Sequence, residues 1–189
     1  MGGWLLVQQR ESGAVSFNRT WAEYRSGFGS VDAKGRGEFW LGNQNLHLLT
    51  SQEETLLRLE MEDWEGGVVT AAYTVRVGSE EEGFPLHVSG YTGDAGDALT
   101  APQSHNGMKF STFDRDNDRW EGNCAETFGG GWWYDNCQSA NLNGIYHEVT
   151  YDPKQKALRQ VENGIVWATF KKAGYSLKTS RIFVRSSAF

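Results

Sequence analysis

The densest run of potential metal donors in this 189-residue chain is Asp114-Arg115-Asp116-Asn117-Asp118-Arg119-Trp120-Glu121-Gly122. Alternating acidic side chains on a turning loop project together, and a hard Ca2+ ion takes six to eight oxygens from carboxylates, carbonyls and water. The run is not an EF-hand. Counted from Asp114, the sixth position is Arg119 where glycine is required, and the twelfth is Ala125 where glutamate is required. Its spacing therefore leaves two readings open: a calcium loop, or a solvated acidic turn neutralised by Arg115 and Arg119.

The next concentration of functional residue types is Gly129-Gly130-Gly131-Trp132-Trp133-Tyr134. Glycines let backbone approach closely, and indoles offer flat walls with one hydrogen-bond donor each. Trp132 is assigned to core packing, while one or both of Trp133 and Tyr134 are expected to contact a ligand. Around them lie the two cysteines, Cys124 and Cys137. Their spacing suits one small disulfide loop, with a pair of buried reduced thiols as the alternative; there is no CxxC and no histidine cluster for zinc.

Catalytic signatures are missing. His147-Glu148-Val149-Thr150-Tyr151 begins like HExxH but carries Tyr151 where the second histidine belongs, and no GxSxG, P-loop or GxGxxG is present. The four histidines, His47, His87, His105 and His147, are scattered and are read as surface or hydrogen-bonded core residues. Arg36-Gly37-Glu38 departs from an integrin-type RGD in its last residue and carries no weight. A binding module is expected rather than an enzyme.

Composition narrows the class further. Gly at 23 with only 3 Pro points to many tight turns, and 8 Trp, 7 Tyr and 10 Phe can bury a large apolar area, so the chain folds. No apolar run approaches a membrane span. Residues 1–100 carry 7 Lys+Arg against 15 Asp+Glu and residues 101–189 carry 11 against 9, a balance that excludes binding to a nucleic-acid backbone. A disulfide would imply an oxidising compartment, and the sequon Asn18-Arg19-Thr20 marks Asn18 as a glycosylation candidate. Met1 opens no signal peptide, because Gly2-Gly3-Trp4 runs straight into strand-like Leu5-Leu6-Val7; the chain is expected to be a fragment of something longer.

These residues need a scaffold. Trp4–Arg10 and Ala14–Phe17 read as a hairpin around Glu11-Ser12-Gly13. Thr20 and Glu23 stand at capping-box spacing for a short helix through Arg25, stopped by Gly27, and a second helix is expected over Leu41–Leu49. Leu56–Glu62 alternates apolar with charged residues, and Ala71–Val77 and Pro85–Ser89 continue as antiparallel strands. From about Asp94 to Asn163 periodicity gives way to a loop-rich stretch, before strands at Ile165–Phe170 and Ser180–Arg185.

Taken together, Gly2–Arg10, Phe17–Trp21, Gly37–Asn43, Asp94–Leu99 and the stretch from Asn123-Cys124-Ala125-Glu126 through Gly131-Trp132-Trp133 to Leu142-Asn143-Gly144-Ile145-Tyr146 resemble the fibrinogen C-terminal domain family over nearly the whole chain. Phe113–Asp116, Gly129–Tyr134 and Gln138–Asn143 are most similar to its extended alpha-chain branch, and ficolins, angiopoietins and tenascins are less similar. The resemblance implies an α+β fold in a single domain: a central twisted antiparallel sheet with short helices (1–94 and 177–187) and a loop-rich calcium and pocket lobe (95–176). The last strand is inserted back into the sheet. The N-terminal subdomain of the family is missing, which is expected to leave the first strand near an exposed edge.

Carried over by residue, the resemblance implies calcium carboxylates from Asp116 and Asp118 and main-chain ligands from Trp120 and Gly122. It also implies a Cys124–Cys137 disulfide and a cis Asn136–Cys137 bond. The pocket beside them would comprise Thr127, Phe128, Trp133, Tyr134, Asn136, Gln138 and Glu162. Here the chain departs from the fibrin-forming gamma type, which has Gln and Asp where Thr127 and Phe128 stand, His in place of Gln138 and Asp in place of Glu162. With an acid replaced by Phe128, the pocket is expected to be more apolar and not to act as a polymerisation hole. The connection from Leu99 to Ser104 is also short for the family.

The implied role is a secreted calcium-binding recognition module of fibrinogen in blood plasma, adhesive or regulatory in coagulation. Its partners would be the other fibrinogen chains, through the missing N-terminal part, and cell-surface receptors such as integrins, with neither nucleic acid nor membrane. The alternative is a ficolin-like innate-immunity lectin that reads acetylated sugars.

Overall fold

The computed structural model describes residues 3–148, 151–152, 157–158, 162–172 and 174–188. In chain order the elements are β1 (Leu5–Arg10), α1 (Trp21–Ser26), β2 (Phe28–Val31), β3 (Gly37–Trp40), α2 (Asn43–Ser51), β4 (Thr55–Glu62), β5 (Val68–Val77), β6 (Leu86–Gly93), α3 (Cys124–Phe128), β7 (Ala140–Asn141), β8 (Tyr151–Asp152), β9 (Ala157–Leu158), β10 (Val166–Trp167) and β11 (Thr179–Ser186). Seven of the strands form one antiparallel sheet in the order β2-β3-β1-β11-β4-β5-β6. β7 pairs with β10, and β8 with β9.

Alternation builds the central sheet. Along β4, Leu57, Leu59 and Met61 point into the core while Leu56, Arg58, Glu60 and Glu62 stay half-buried on the other face. β11 meets it without a break from Thr179↔Glu62 to Ser186↔Thr55, so Ile182 and Val184 join the inward set. α1 begins as its sequence dictates: Thr20 Oγ1 accepts from the Glu23 amide and the Glu23 carboxylate accepts from the Thr20 amide, both at 3.2 Å. That helix buries Trp21 and Tyr24 against Phe84, Phe110 and Trp40. Aromatic pairs of this kind contribute about 0.5–1.5 kcal/mol each beyond their buried area.

Four expectations are corrected. Residues 14–17 are not a strand. Both edges of β1 are already taken, by β3 and β11, and the loop instead wraps the buried Glu38 carboxylate, which accepts from the amides of Glu11, Ser12 and Val15. For the same reason β1 lies inside the sheet, and the edges are β2 and β6. The second helix starts at Asn43 because the Leu41 amide is bonded to Val7 O at 2.8 Å and prolongs the β3 side of the sheet. The strand expected at 165–170 is limited to Val166–Trp167; after it the chain turns, with the amides of Phe170 and Lys171 both donating to Trp167 O. The β2–β3 hairpin, turned at Asp32–Arg36, was not foreseen.

Between Asp94 and β11 the described residues are mostly irregular and are tied down by side chains. Arg10 is buried under it, with Nη1 donating to Leu142 O and to Gly144 O at 2.6 Å, its guanidinium 4.0 Å from the Phe17 ring centre and its Nε 3.6 Å from Glu38 Oε2. Gln8 Nε2 donates to Leu142 O and Asn143 Oδ1, and Asn143 Nδ2 donates to Gly131 O. Two glycines permit this stacking. A methyl on Gly130 would sit 2.0 Å from Asn143 O, and one on Gly144 would sit 1.9 Å from Gly164 O. Backbone here packs directly on backbone.

Candidate functional site

The acidic loop begins at a tight turn in which Thr112 and Arg115 exchange backbone hydrogen bonds. Its first carboxylate is already committed: Asp114 Oδ1 accepts from the Trp21 amide at 2.9 Å and from the Thr112 hydroxyl at 2.6 Å, placing a negative charge at the start of α1. Arg115 lies over the Trp21 ring at 4.4 Å. Asn117 turns inward, its amide bonded to Ser111 Oγ and its Nδ2 to Phe110 O. This leaves Asp116 and Asp118 as the carboxylates of the loop that face each other.

Asp116 Oδ1 accepts from the Asp118 amide at 3.1 Å, Asp118 Oδ1 accepts from the Trp120 amide at 3.0 Å, and Asp118 Oδ2 accepts from the Cys124 amide at 2.8 Å. Burial raises the pKa of Asp118, the Cys124 and Trp120 amides oppose that, and the charge of Asp116 adds to the rise. Among the described residues no basic side chain pairs with either carboxylate; Arg119 turns instead to Asp135 at 3.5 Å. Two facing carboxylates offer hard oxygen ligands, which fit a cation such as Ca2+ and do not fit a metal that takes nitrogen or sulfur. No group of three or more His, Cys, Asp or Glu converges among the described residues, so a cation here would find no third such side chain beside Asp116 and Asp118. The Trp120 ring folds over Gly122, where a methyl would meet it at 2.7 Å.

The loop leads directly into a stapled turn. Asn123 caps α3, its Oδ1 accepting from the Glu126 amide at 3.1 Å, and Gly129 ends the helix in a left-handed conformation. Cys124, the first residue of α3, is bonded to Cys137 with Cα atoms 5.8 Å apart. Asp135 joins both sides: its carbonyl accepts from the Arg119 amide, and its own amide donates to Cys137 O. The Asn136–Cys137 peptide is cis.

Beside this turn opens a pocket of about 600 Å³ lined by Phe128, Cys137, Gln138, Glu162, Val166, Ala168 and Gly174. Phe128 and Gln138, from the disulfide-stapled turn, thus meet Glu162 from a distant segment. Thr127 and Asn136 are exposed nearby but do not line it. Trp133 and Tyr134 also stand elsewhere, a correction to the expected wall. Trp133 is 5% exposed and belongs to the aromatic core, with Nε1 donating to Phe84 O at 2.8 Å and its ring edge-on to Phe110. Tyr134 is fully buried behind Phe128; its hydroxyl donates to Gly130 O and accepts from Asn141 Nδ2. Each has its polar atom satisfied inside the protein, so the aromatic wall of the pocket is Phe128.

The sequence did not single out what organises the pocket floor. Val166 and Ala168 stand two apart, a spacing that puts both on one side of an extended chain, but the expected strand hid their role. His105 is buried, with Nδ1 2.9 Å from Trp133 O and Nε2 accepting the amides of Ser139 at 3.0 Å and Ala140 at 3.1 Å. Those contacts require the neutral ring, protonated at Nδ1. Burial lowers its pKa to about 4, against smaller opposing effects of the Trp133 carbonyl and Asp135. His147, from the incomplete HExxH run, bonds through Nε2 to Asn163 Oδ1 at 2.8 Å; Val149 and Thr150 of that run lie outside the described residues.

The model of the family "Fibrinogen beta and gamma chains, C-terminal globular domain" matches residues 1–187. The chain is 57% identical to the fibrinogen alpha chain of Gallus gallus over 98% of its own length and 26% of the relative's. It is 56% identical to that of Homo sapiens, covering 98% and 22%. It therefore spans about a quarter of the length of the alpha chains it matches. Among solved structures, a lamprey fibrin D-dimer in complex with the peptide Gly-His-Arg-Pro-amide superposes with a TM-score of 0.88 at 38% identity, covering 98% of this chain and 62% of that one. The fibrinogen-like globe domain of human ANGPTL6 superposes at 0.86 and 38%, covering 97% and 78%.

Proposed function

This chain belongs to the fibrinogen C-terminal globular domain family, whose members are non-enzymatic structural and recognition proteins, and we propose that it is a secreted, calcium-binding recognition module of an extended fibrinogen alpha chain. It would act in plasma, in an adhesive or regulatory part of coagulation, joined through the rest of its parent chain to other fibrinogen chains and open to cell-surface receptors such as integrins. Asp116 and Asp118, with main-chain oxygens of Trp120 and Gly122, would hold the calcium ion. Bound there, the ion supplies the positive charge that two facing carboxylates lack.

The observation that carries the recognition reading is the pocket itself. It adjoins the acidic loop through the Cys124–Cys137 bridge, and its lining includes the Phe128 ring, Gln138 and one carboxylate, Glu162. The lamprey fibrin fragment takes a peptide that carries an arginine. In this chain one exposed acid, Glu162, remains to face that cation where the gamma type has two, so such a peptide should bind weakly and an apolar group should be preferred. The same wall, with the Gln138 amide beside it, suits an acetyl group, which is the ground for the lectin alternative.

Calorimetric titration separates these readings. With calcium present, Gly-His-Arg-Pro-amide should give no saturable heat at micromolar concentration, and a Phe128→Asp variant should gain affinity for it. Micromolar saturation of the unaltered pocket would overturn the rejection of cationic peptides. Saturation by N-acetylglucosamine, abolished by Phe128→Asp, would favour the lectin.

A further inference from the structure

The face of the large sheet turned away from the core holds an arrangement unrelated to the pocket. On β11 the outward residues are Arg181, Phe183 and Arg185, two apart and therefore about 7 Å from one to the next along one line. Phe183 is flanked in register by Leu6 of β1 and Arg58 of β4, and Arg185 by Leu56. Arg76 stands outward on β5, opposite His87 of β6. On β4 the acids of this face are Glu60, paired with Arg58 at 3.1 Å, and Glu62, which accepts from the Thr179 hydroxyl; beyond the end of β1, Glu11 accepts from the Gly37 amide.

Arg76, Arg181 and Arg185 have no carboxylate within ion-pair distance among the described residues. Arg181 Nε donates to Gln9, which holds the side chain without neutralising it. Arg185 lies 4.9 Å over the Trp4 ring, and its buried Nε has no acceptor among the described residues. On a chain with a net charge of −6, uncompensated arginines therefore gather on one open face.

We propose that this face binds a sulfated polysaccharide, with sugar rings laid on Phe183 and sulfates held by Arg181, Arg185 and Arg76. A small anion would need converging donors in a concave site, whereas these cations are spread along a flat surface, as a linear polyanion requires. Arginine forks bind oxyanions in two-point fashion. A pyranose stacks on an aromatic ring, and the arginines on either side of Phe183 reach groups at both edges of such a ring.

The probe is a heparin hexasaccharide, titrated against the intact chain at several salt concentrations beginning at about 50 mM, where counterion release favours binding. Saturable binding is expected, weakened about tenfold or more by Arg181→Ala with Arg185→Ala, with the slope of log K against log salt falling by about two. Arg185→Gln, which removes the guanidinium charge that lies over Trp4, should weaken it with an unchanged Tm, and Phe183→Ala should weaken it without changing the salt slope. Lys34→Ala with Arg36→Ala, on the β2–β3 hairpin, should have no effect. Absence of saturable binding at about 50 mM salt overturns the proposal. So does an equal loss in the hairpin variant, or polyglutamate of matched charge binding as tightly as the hexasaccharide.

Discussion

The Asp118 carboxylate accepts the backbone amide of Cys124 at 2.8 Å, so the acidic loop and the disulfide-bearing helix form one hydrogen-bonded unit. Asp118 uses its other oxygen for the Trp120 amide, and α3 carries Phe128 to the pocket at its far end. A change in the charge of the loop is thus felt one short helix away from the proposed ligand.

Calcium should stabilise this unit. Thermal unfolding after EDTA treatment, with calcium titrated back, should show a midpoint that rises with calcium; a ligand at a hundredfold excess over its Kd adds about 2.7 kcal/mol. Asp116→Ala with Asp118→Ala should abolish the response. A calcium-dependent midpoint in the double variant would place the ion elsewhere.

Glu38→Gln should cost about 3–5 kcal/mol, because Arg10 would remain charged and buried with its one nearby carboxylate gone. Burial lowers the pKa of Arg10, which Glu38 counteracts. Urea unfolding measures the loss. A cost below about 1 kcal/mol would mean that the carbonyls of Leu142 and Gly144 suffice to hold the guanidinium.

The state of His105 makes stability depend on pH. Its folded pKa of about 4 lies below the ordinary 6.5, so the unfolded chain binds the proton more readily. The contribution is complete above pH 6.5 and is lost as pH falls toward 4, by about 3 kcal/mol in full. His105→Gln, which keeps an acceptor near the Ser139 and Ala140 amides, should flatten the stability profile of that window relative to the unaltered chain. Parallel profiles would show that other groups govern it.

Gly144→Ala should destabilise by about 3 kcal/mol or more, since its methyl would collide with Gly164 O, a backbone atom with no side-chain freedom to yield. Gly3→Ala, with nothing within 4 Å of the added methyl and no left-handed backbone, is the control. Comparing their melting midpoints isolates backbone crowding.

Local signals carried much of this fold. The capping box at Thr20 and Glu23 and the alternation of β4 act over a few residues and are realised as written. What sequence did not reveal depends on distant partners. Ala14–Phe17 has a strand-like pattern, but β3 and β11 compete successfully for both edges of β1. Trp133 and Tyr134 looked like ligand walls because indole and phenol rings serve both roles; only the placement of Phe84 O and Gly130 O decides for the core. His105 carried no motif, since its acceptors and donors lie 28 to 35 residues away.

The position of β11 has a consequence for how the molecule comes into being. Among the described residues it is the last strand in sequence, yet it is the sole link between the β2-β3-β1 half of the large sheet and the β4-β5-β6 half. During synthesis both halves can emerge and pair internally, but they cannot be joined until residues 179–186 are released, and contacts so distant in sequence make closure slow. A premature stop before residue 179 would therefore remove the seam of the sheet rather than fray its end, and the nascent chain stays prone to aggregation until residues 179–186 arrive.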